Sequence, residues 1–269
     1  MADSKFLEIA KKAAIEGGKV VAKYRKQELH LKTKSHANDI VTQADVECER
    51  VVLEIIRKAF PDHNIKAEES GEEIQNSEYT WAIDPIDGTL DFISGIPFYG
   101  VSVGLLKNNQ PFVGVINMVG LKELYWAEKN CGAFVNGEEI QVSQRDKLSE
   151  AYMFLDVGGK ERQKRLDNRV LPFMNKVRSI FMAGSATVEM VFTARGFVDG
   201  FILKANIWDF GAGAIILTEA GGKLTDYKGE DVDWSKAKMQ VIGTNGLLHE
   251  QIVKTLNYQG LEDEPVSLG

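Results

Sequence analysis

The chain has 269 residues, 44% hydrophobic and 26% charged, with six prolines and a net charge of −7. That length fits one large domain or two lobes around a continuous core, and the composition excludes a disordered chain. No lysine or arginine block reaches the length of a nucleic-acid or membrane-surface patch, so neither a nucleic-acid polymer nor a membrane is expected as a partner; an acidic protein acting on an anion needs a cationic bridge, the usual service of a metal ion.

The first 21 residues carry lysine and glutamate through their apolar positions and do not read as a signal peptide. No stretch approaches the roughly 18 apolar residues of a membrane-spanning helix. Phe6, Ala10, Ala13, Gly17, Val20 and Tyr24 recur at helical spacing and predict a first helix, its small residues permitting close packing. A second helix is predicted over Ala44 to Phe60, stopped by Pro61, and the intervening "LKTKSHANDIVTQAD" reads as a polar loop. After "IKAEES" the pattern turns to strands, with Asn108-Asn109 and Asn136-Gly137 as hairpin signals.

From about Leu148, strands alternate with helices: a charged helix to about Val177, another over Ala186 to Ala194, and a third opening at "WDFGAG". The expectation is an α/β protein with an N-terminal α+β half over 1–147, a C-terminal α/β half over 148–260 and a loose tail over 261–269. The basic clusters "KYRK" and "GGKERQKR" read as solvated helix faces, and Gly158-Gly159-Lys160 lacks the rest of a P-loop. Cys48 and Cys131 lie far apart with no CxxC pair, so neither a disulfide framework nor a zinc site is indicated, and a reducing cytoplasm fits. His30, His36, His63 and His249 form no metal-ligand spacing.

"WAIDPIDGTLDF" crowds Asp84, Asp87 and Asp91 into eight positions. Carboxylates that close either share protons or hold a cation. Pro85 favours extended geometry at Asp84, and Gly88 permits a tight turn. Asp84 and Asp87 can then converge with the Ile86 carbonyl between them, an all-oxygen site suited to Mg²⁺. The amides of Gly88 and Thr89 follow at once, placed for phosphate oxygens if a helix begins there. An Asp-Pro turn with exposed acids is the plain alternative. Phosphatases that form an aspartyl-phosphate use D-x-D-G-T, and here one residue too many separates the aspartates.

Taken whole, "WAIDPIDGTLDF" and "WDFGAGAIILTEAGG" resemble, in order and separation, the two signatures of the inositol monophosphatase family, Mg²⁺-dependent and lithium-sensitive phosphatases of sugars and nucleotides. "KSHANDIVTQAD" is similar to the family's metal loop and "AEES" to its glutamate pair, so the likeness spans about residues 6–257. It implies a layered αβαβα sandwich, a homodimer and two to three Mg²⁺ ions per subunit. Residue by residue, it makes Glu68, Asp84 and the Ile86 carbonyl ligands of one ion, and Asp84, Asp87 and Asp209 ligands of a second. Thr89 and Asp45 would orient and deprotonate the attacking water, with Glu68 beside it. Lys34 and Asp39 fall on the metal loop.

Asp87, Gly88, Thr89, Gly184, Ser185, Ala186 and Asp209 would line the substrate side. Glu69 is expected to support the site through backbone hydrogen bonds, and Trp81 and Trp208 to brace the acids that follow them. Ile202 falls where inositol-cleaving members place a glutamate, and Asp91 where many carry asparagine, which leaves the substrate open. The leading expectation is a phosphomonoesterase for a small phosphorylated polyol or sugar, inositol-1-monophosphatase-like. Related activities on fructose 1,6-bisphosphate, histidinol phosphate or 3′-phosphoadenosine 5′-phosphate follow it, and last a non-catalytic regulatory binding protein.

Overall fold

The Ser4 hydroxyl accepts the Leu7 amide at 3.2 Å and starts α1 (Lys5–Tyr24). Its small residues Ala10, Ala13, Ala14, Gly17 and Gly18 are buried, which lets a second helix lie close against it. This computed structural model describes residues 3–26, 31–33, 40–158 and 161–257. Two short antiparallel strands, β1 (Leu31–Thr33) and β2 (Ile40–Thr42), lie within the segment expected as a polar loop. Thr42 then caps α2 (Gln43–Ala59), which ends one residue before the predicted stop, ahead of Pro61.

The next strands are β3 (Asn64–Ala67), β4 (Gly71–Glu73) and β5 (Tyr79–Asp87), followed by the short helix α3 (Thr89–Ser94). Then come β6 (Gly100–Lys107), β7 (Gln110–Met118), β8 (Glu123–Glu128), β9 (Ala133–Val135) and β10 (Glu138–Ile140). Together β3 to β10 form an eight-stranded sheet in the order β10-β9-β8-β7-β6-β5-β3-β4. Both hairpin signals are borne out: Asn108 and Asn109 have φ of 49° and 56°, Asn136 and Gly137 have 50° and 93°.

The rest of the chain holds β11 (Tyr152–Leu155), α4 (Arg162–Arg165), β12 (Ser179–Phe181), α5 (Ala186–Ala194), β13 (Gly200–Asn206) and α6 (Ile207–Glu219), then β14 (Lys223–Thr225), β15 (Lys238–Thr244) and α7 (His249–Asn257). Its five strands form a second sheet in the order β12-β11-β13-β15-β14. The long charged helix expected up to Val177 breaks up. Only Arg162–Arg165 is α-helical, followed by a π-turn over Leu166–Val170 and a 3₁₀ turn over Leu171–Phe173. Pro172 lacks the amide that an α-helix needs there.

Three apolar clusters bind these layers. One joins α1 and α2 to one face of the large sheet, a second joins α5 and α6 to its other face and to the small sheet, and a third packs α7 on the far face of the small sheet. The order helix, sheet, helix, sheet, helix is the expected five-layer sandwich. Helix α6 sits in the middle because β6 lets it approach: a Cβ at Gly104 would lie 2.6 Å from the Gly211 carbonyl carbon. That contact fixes the start of α6 against β5, where the acids lie.

Candidate active site

Residues three apart on a regular strand face opposite sides. On β5, Asp84 pairs with Ser102 and Asp87 with Gly100, so three steps on β5 oppose two on β6. This bulge supplies the extra residue that returns Asp87 to the side of Asp84. It falls at Pro85, which has no amide to give the ladder. The Ile86 amide donates to Asp84 Oδ1 at 3.0 Å, and Gly88 turns the chain into α3 with φ of 82°. A side chain at Gly88 would collide with the Phe98 carbonyl. Thr89 donates its hydroxyl to the Ile86 carbonyl at 3.0 Å.

The two acids carried by helix starts are held by capping boxes. The Thr42 amide and hydroxyl donate to Asp45 Oδ2 at 2.8 and 2.6 Å, and the Asn206 amide donates to Asp209 Oδ2 at 2.6 Å. Glu68 follows the end of β3, where its amide donates to the Ile83 carbonyl at 3.2 Å.

Ligand oxygens of Asp84, Asp87 and Asp209 all lie within 4.8 Å of one another. Asp84 and Asp87 are 2% and 8% exposed, so the first two cannot lean on water for relief. Burial pushes the Asp84 carboxyl well above the usual range, helped by Glu68, Asp87 and Asp209. Asp209 is pushed up to about 8 by burial and then by Asp87. Burial raises Asp87 too, against the hydrogen bonds it accepts. Asp45 rises to about 6, again through burial, with its Thr42 bonds opposing. Oxygen-only donors in a buried cluster that resists joint ionisation fit a small hard cation.

The opposite wall is the start of α5. Asp87 accepts hydrogen bonds from the Ser185 hydroxyl, the Ala186 amide at 3.2 Å, the Thr187 amide at 2.8 Å and the Thr187 hydroxyl. Gly184 precedes them with φ of 69° and faces Asp91. Asp91 is raised to about 6 by burial and by Asp87. One turn into α5, Glu189 is fully buried, both its oxygens lack a hydrogen-bond partner, and burial lifts its pKa well above the usual range.

Glu68, Asp84, Asp87 and Asp209, far apart in the chain, thus converge beside Gly184, Ser185 and Ala186. Lys34 and Asp39 lie outside the described residues, as do His30 and His36. Ile202 requires a correction. It is fully buried in the cluster under α7, with Leu155, Ile242 and Ile252, while its neighbours Phe201 and Leu203 face α5 and α6. Strand alternation turns it away from the acids, so it says nothing about the substrate.

Glu69 is tied by its backbone: Glu49 on α2 accepts the amides of Glu69 and Ser70 at 2.8 Å each. Thr187 and Glu49 are among the residues around the site that sequence reasoning missed. Both act on partners distant in the chain, so no local pattern marks them. Trp81 is fully buried behind Asp84, and its indole donates to His63 at 3.1 Å.

The inositol monophosphatase family model matches residues 2–260. The chain belongs to the inositol monophosphatase family. A Thermotoga maritima relative named fructose-1,6-bisphosphatase/inositol-1-monophosphatase is 37% identical over 236 residues, which cover 85% of this chain and 86% of that one. The inositol-1-monophosphatase of Synechocystis is 35% identical over 93% of this chain and 88% of its own. The solved inositol monophosphatase of Anabaena superposes with a TM-score of 0.82 at 35% identity, covering 97% of each chain. As a member of this family of metal-dependent phosphatases, the chain is a phosphoric monoester hydrolase, and among its described residues no helix is long and apolar enough to cross a membrane.

Proposed function

We propose that this family member is a Mg²⁺-dependent phosphomonoesterase for a small phosphorylated polyol or sugar, inositol monophosphate foremost. The observation that carries the reading is the meeting of Asp84, Asp87 and Asp209 within 4.8 Å against the start of α5. Glu68, Asp84 and the Ile86 carbonyl would hold one Mg²⁺, and Asp84, Asp87 and Asp209 a second, with Glu68 beside a third. Bound there, Mg²⁺ supplies positive charge for the phosphoryl oxygens and acidifies water. Asp45, raised to about 6, is a carboxylate at neutral pH and takes the proton of the attacking water. The Thr89 hydroxyl orients that water. Gly184, Ser185 and Ala186 contact the leaving group, and the Gly88 and Thr89 amides the phosphate.

A second reading, fructose 1,6-bisphosphate, is supported by the double name of the Thermotoga and Aquifex aeolicus relatives. The deciding experiment is a panel of phosphate esters assayed for phosphate release with Mg²⁺ and with chelator. Inositol monophosphate as the best ester, with Asp84→Asn inactive, supports the first reading. Release that persists in chelator overturns it.

The chain is further assigned a homodimeric state, supported by the exposed apolar side chains of Phe181 and Met182 at the β12 edge of the small sheet and of Phe197 in the turn after α5. Light scattering that gives a monomer mass removes this assignment. A division near residue 147 is supported by the chain order of the two sheets, and a cytoplasmic location by the free thiols of Cys48 and Cys131.

A further inference from the structure

Helix α2 presents Asp45, Cys48 and Glu49 on one buried face. The Cys48 thiol donates to the Pro85 carbonyl at 3.3 Å, inside the bulge between Asp84 and Asp87. One position on, the Glu49 carboxylate, 3% exposed, accepts the Glu69 amide on Oε2 and the Ser70 amide on Oε1, both at 2.8 Å. Those are the first two amides after Glu68, whose own amide is tied to the Ile83 carbonyl. The backbone of Glu68 is therefore gripped from both sides, by β5 before it and by α2 after it.

We propose that Glu49 is a positioning residue for the cation site: through two charge-assisted bonds it fixes the turn that aims Glu68 at Asp84. The inference rests on the reading of Glu68 as a cation ligand. Glu68 is already close enough to Asp84 for hydrogen-bond contact, and two acids so placed repel one another when both are charged. A turn left to itself would relieve that repulsion by swinging Glu68 away before a cation arrives. The Glu49 carboxylate opposes this because its two oxygens match two consecutive amides, a fit that a neutral side chain cannot reproduce. A glutamine keeps one acceptor oxygen but turns an NH₂ group toward the second amide, where donor meets donor.

The experiment is calorimetric titration of Mg²⁺ into the full chain, wild type, Glu49→Gln, Glu49→Ala and Asp84→Asn, well below each melting temperature. Ile252→Val, on the buried face of α7, serves as a variant destabilised far from the site. Removing support of this kind lowers metal affinity by about 10- to 100-fold. The expected order is Ile252→Val equal to wild type, Glu49→Gln about tenfold weaker, Glu49→Ala weaker still if it folds, and Asp84→Asn without binding. A folded Glu49→Gln that binds Mg²⁺ as tightly as wild type overturns the positioning role. Ile252→Val weakening Mg²⁺ as much as Glu49→Gln also overturns it, since stability alone would then set affinity. Wild type that binds no Mg²⁺ at all removes the proposed function instead.

Discussion

Thr187 donates to Asp87 twice, through its amide at 2.8 Å and through its hydroxyl, and so ties α5 of the small-sheet half to β5 of the large sheet. The bonds favour the ionised form of an acid that burial would otherwise neutralise. Thr187→Val removes the hydroxyl, keeps the shape and leaves the amide. A loss of about 1–2 kcal/mol is expected, read in cation-free protein as a lower urea midpoint with unchanged slope. An unchanged midpoint would show that the hydroxyl bond contributes nothing.

Asp84, Asp87 and Asp209 repel one another at close range, the first two of them buried, so a cation that binds them stabilises the fold. Mg²⁺ at 100 times its dissociation constant adds about 2.7 kcal/mol, worth a rise of several degrees in melting temperature. Differential scanning fluorimetry should show that rise in wild type. It should be smaller in Asp209→Asn, which loses a ligand of one ion only, with phosphate release down at least about 100-fold. An equal shift in both proteins counts against a shared ion.

His249 sits between the hydroxyls of Thr225 and Thr244, at 2.9 and 3.0 Å, and is 2% exposed. Burial, then Lys223, pushes its pKa down from 6.5 to about 4. Between those values the unfolded chain carries a proton that the folded chain refuses, so stability contributed at His249 is present above pH 6.5 and is lost as pH falls toward 4. Raised carboxyls such as Asp45 and Asp209 work in the opposite direction, adding stability as pH falls. The informative quantity is therefore a difference: from pH 7.5 to 5, wild type should lose more urea resistance, or gain less, than His249→Gln. Parallel curves would mean that the ring is charged in the folded protein.

Gly104→Ala places a methyl group against the Gly211 backbone, where neither β6 nor α6 can yield cheaply. Overpacking of this kind costs about 1–3 kcal/mol. Because α6 carries Asp209 in its first turn, weaker Mg²⁺ binding should accompany the lower melting temperature. Full stability in the variant would show that α6 can slide.

Much of the local structure can be read from residue order. The stripe from Phe6 to Tyr24, the Asn136-Gly137 turn and the stop at Pro61 report backbone preferences that act within a few residues. The capping boxes that hold Asp45 and Asp209 are written locally as well, Thr42 to Asp45 and Asn206 to Asp209, and the crowded aspartates already required either protons or a cation. The helix expected up to Val177 fails for a reason also in the sequence, the proline at 172, which has no amide to continue it.

Other features depend on which surfaces meet. No pattern around Ile202 reveals that its side of β13 lies under α7, because a strand between two apolar layers is hydrophobic on both faces. Glu49 looks like one more acid on an amphipathic helix until the turn after Glu68 folds against it. Thr187 gains its role only when α5 reaches β5. Residue order determined which acids were available and how each helix begins. Tertiary packing decided which of them share one small volume, because the energy of a hydrogen bond or of like charges depends on distance in space and not on separation along the chain.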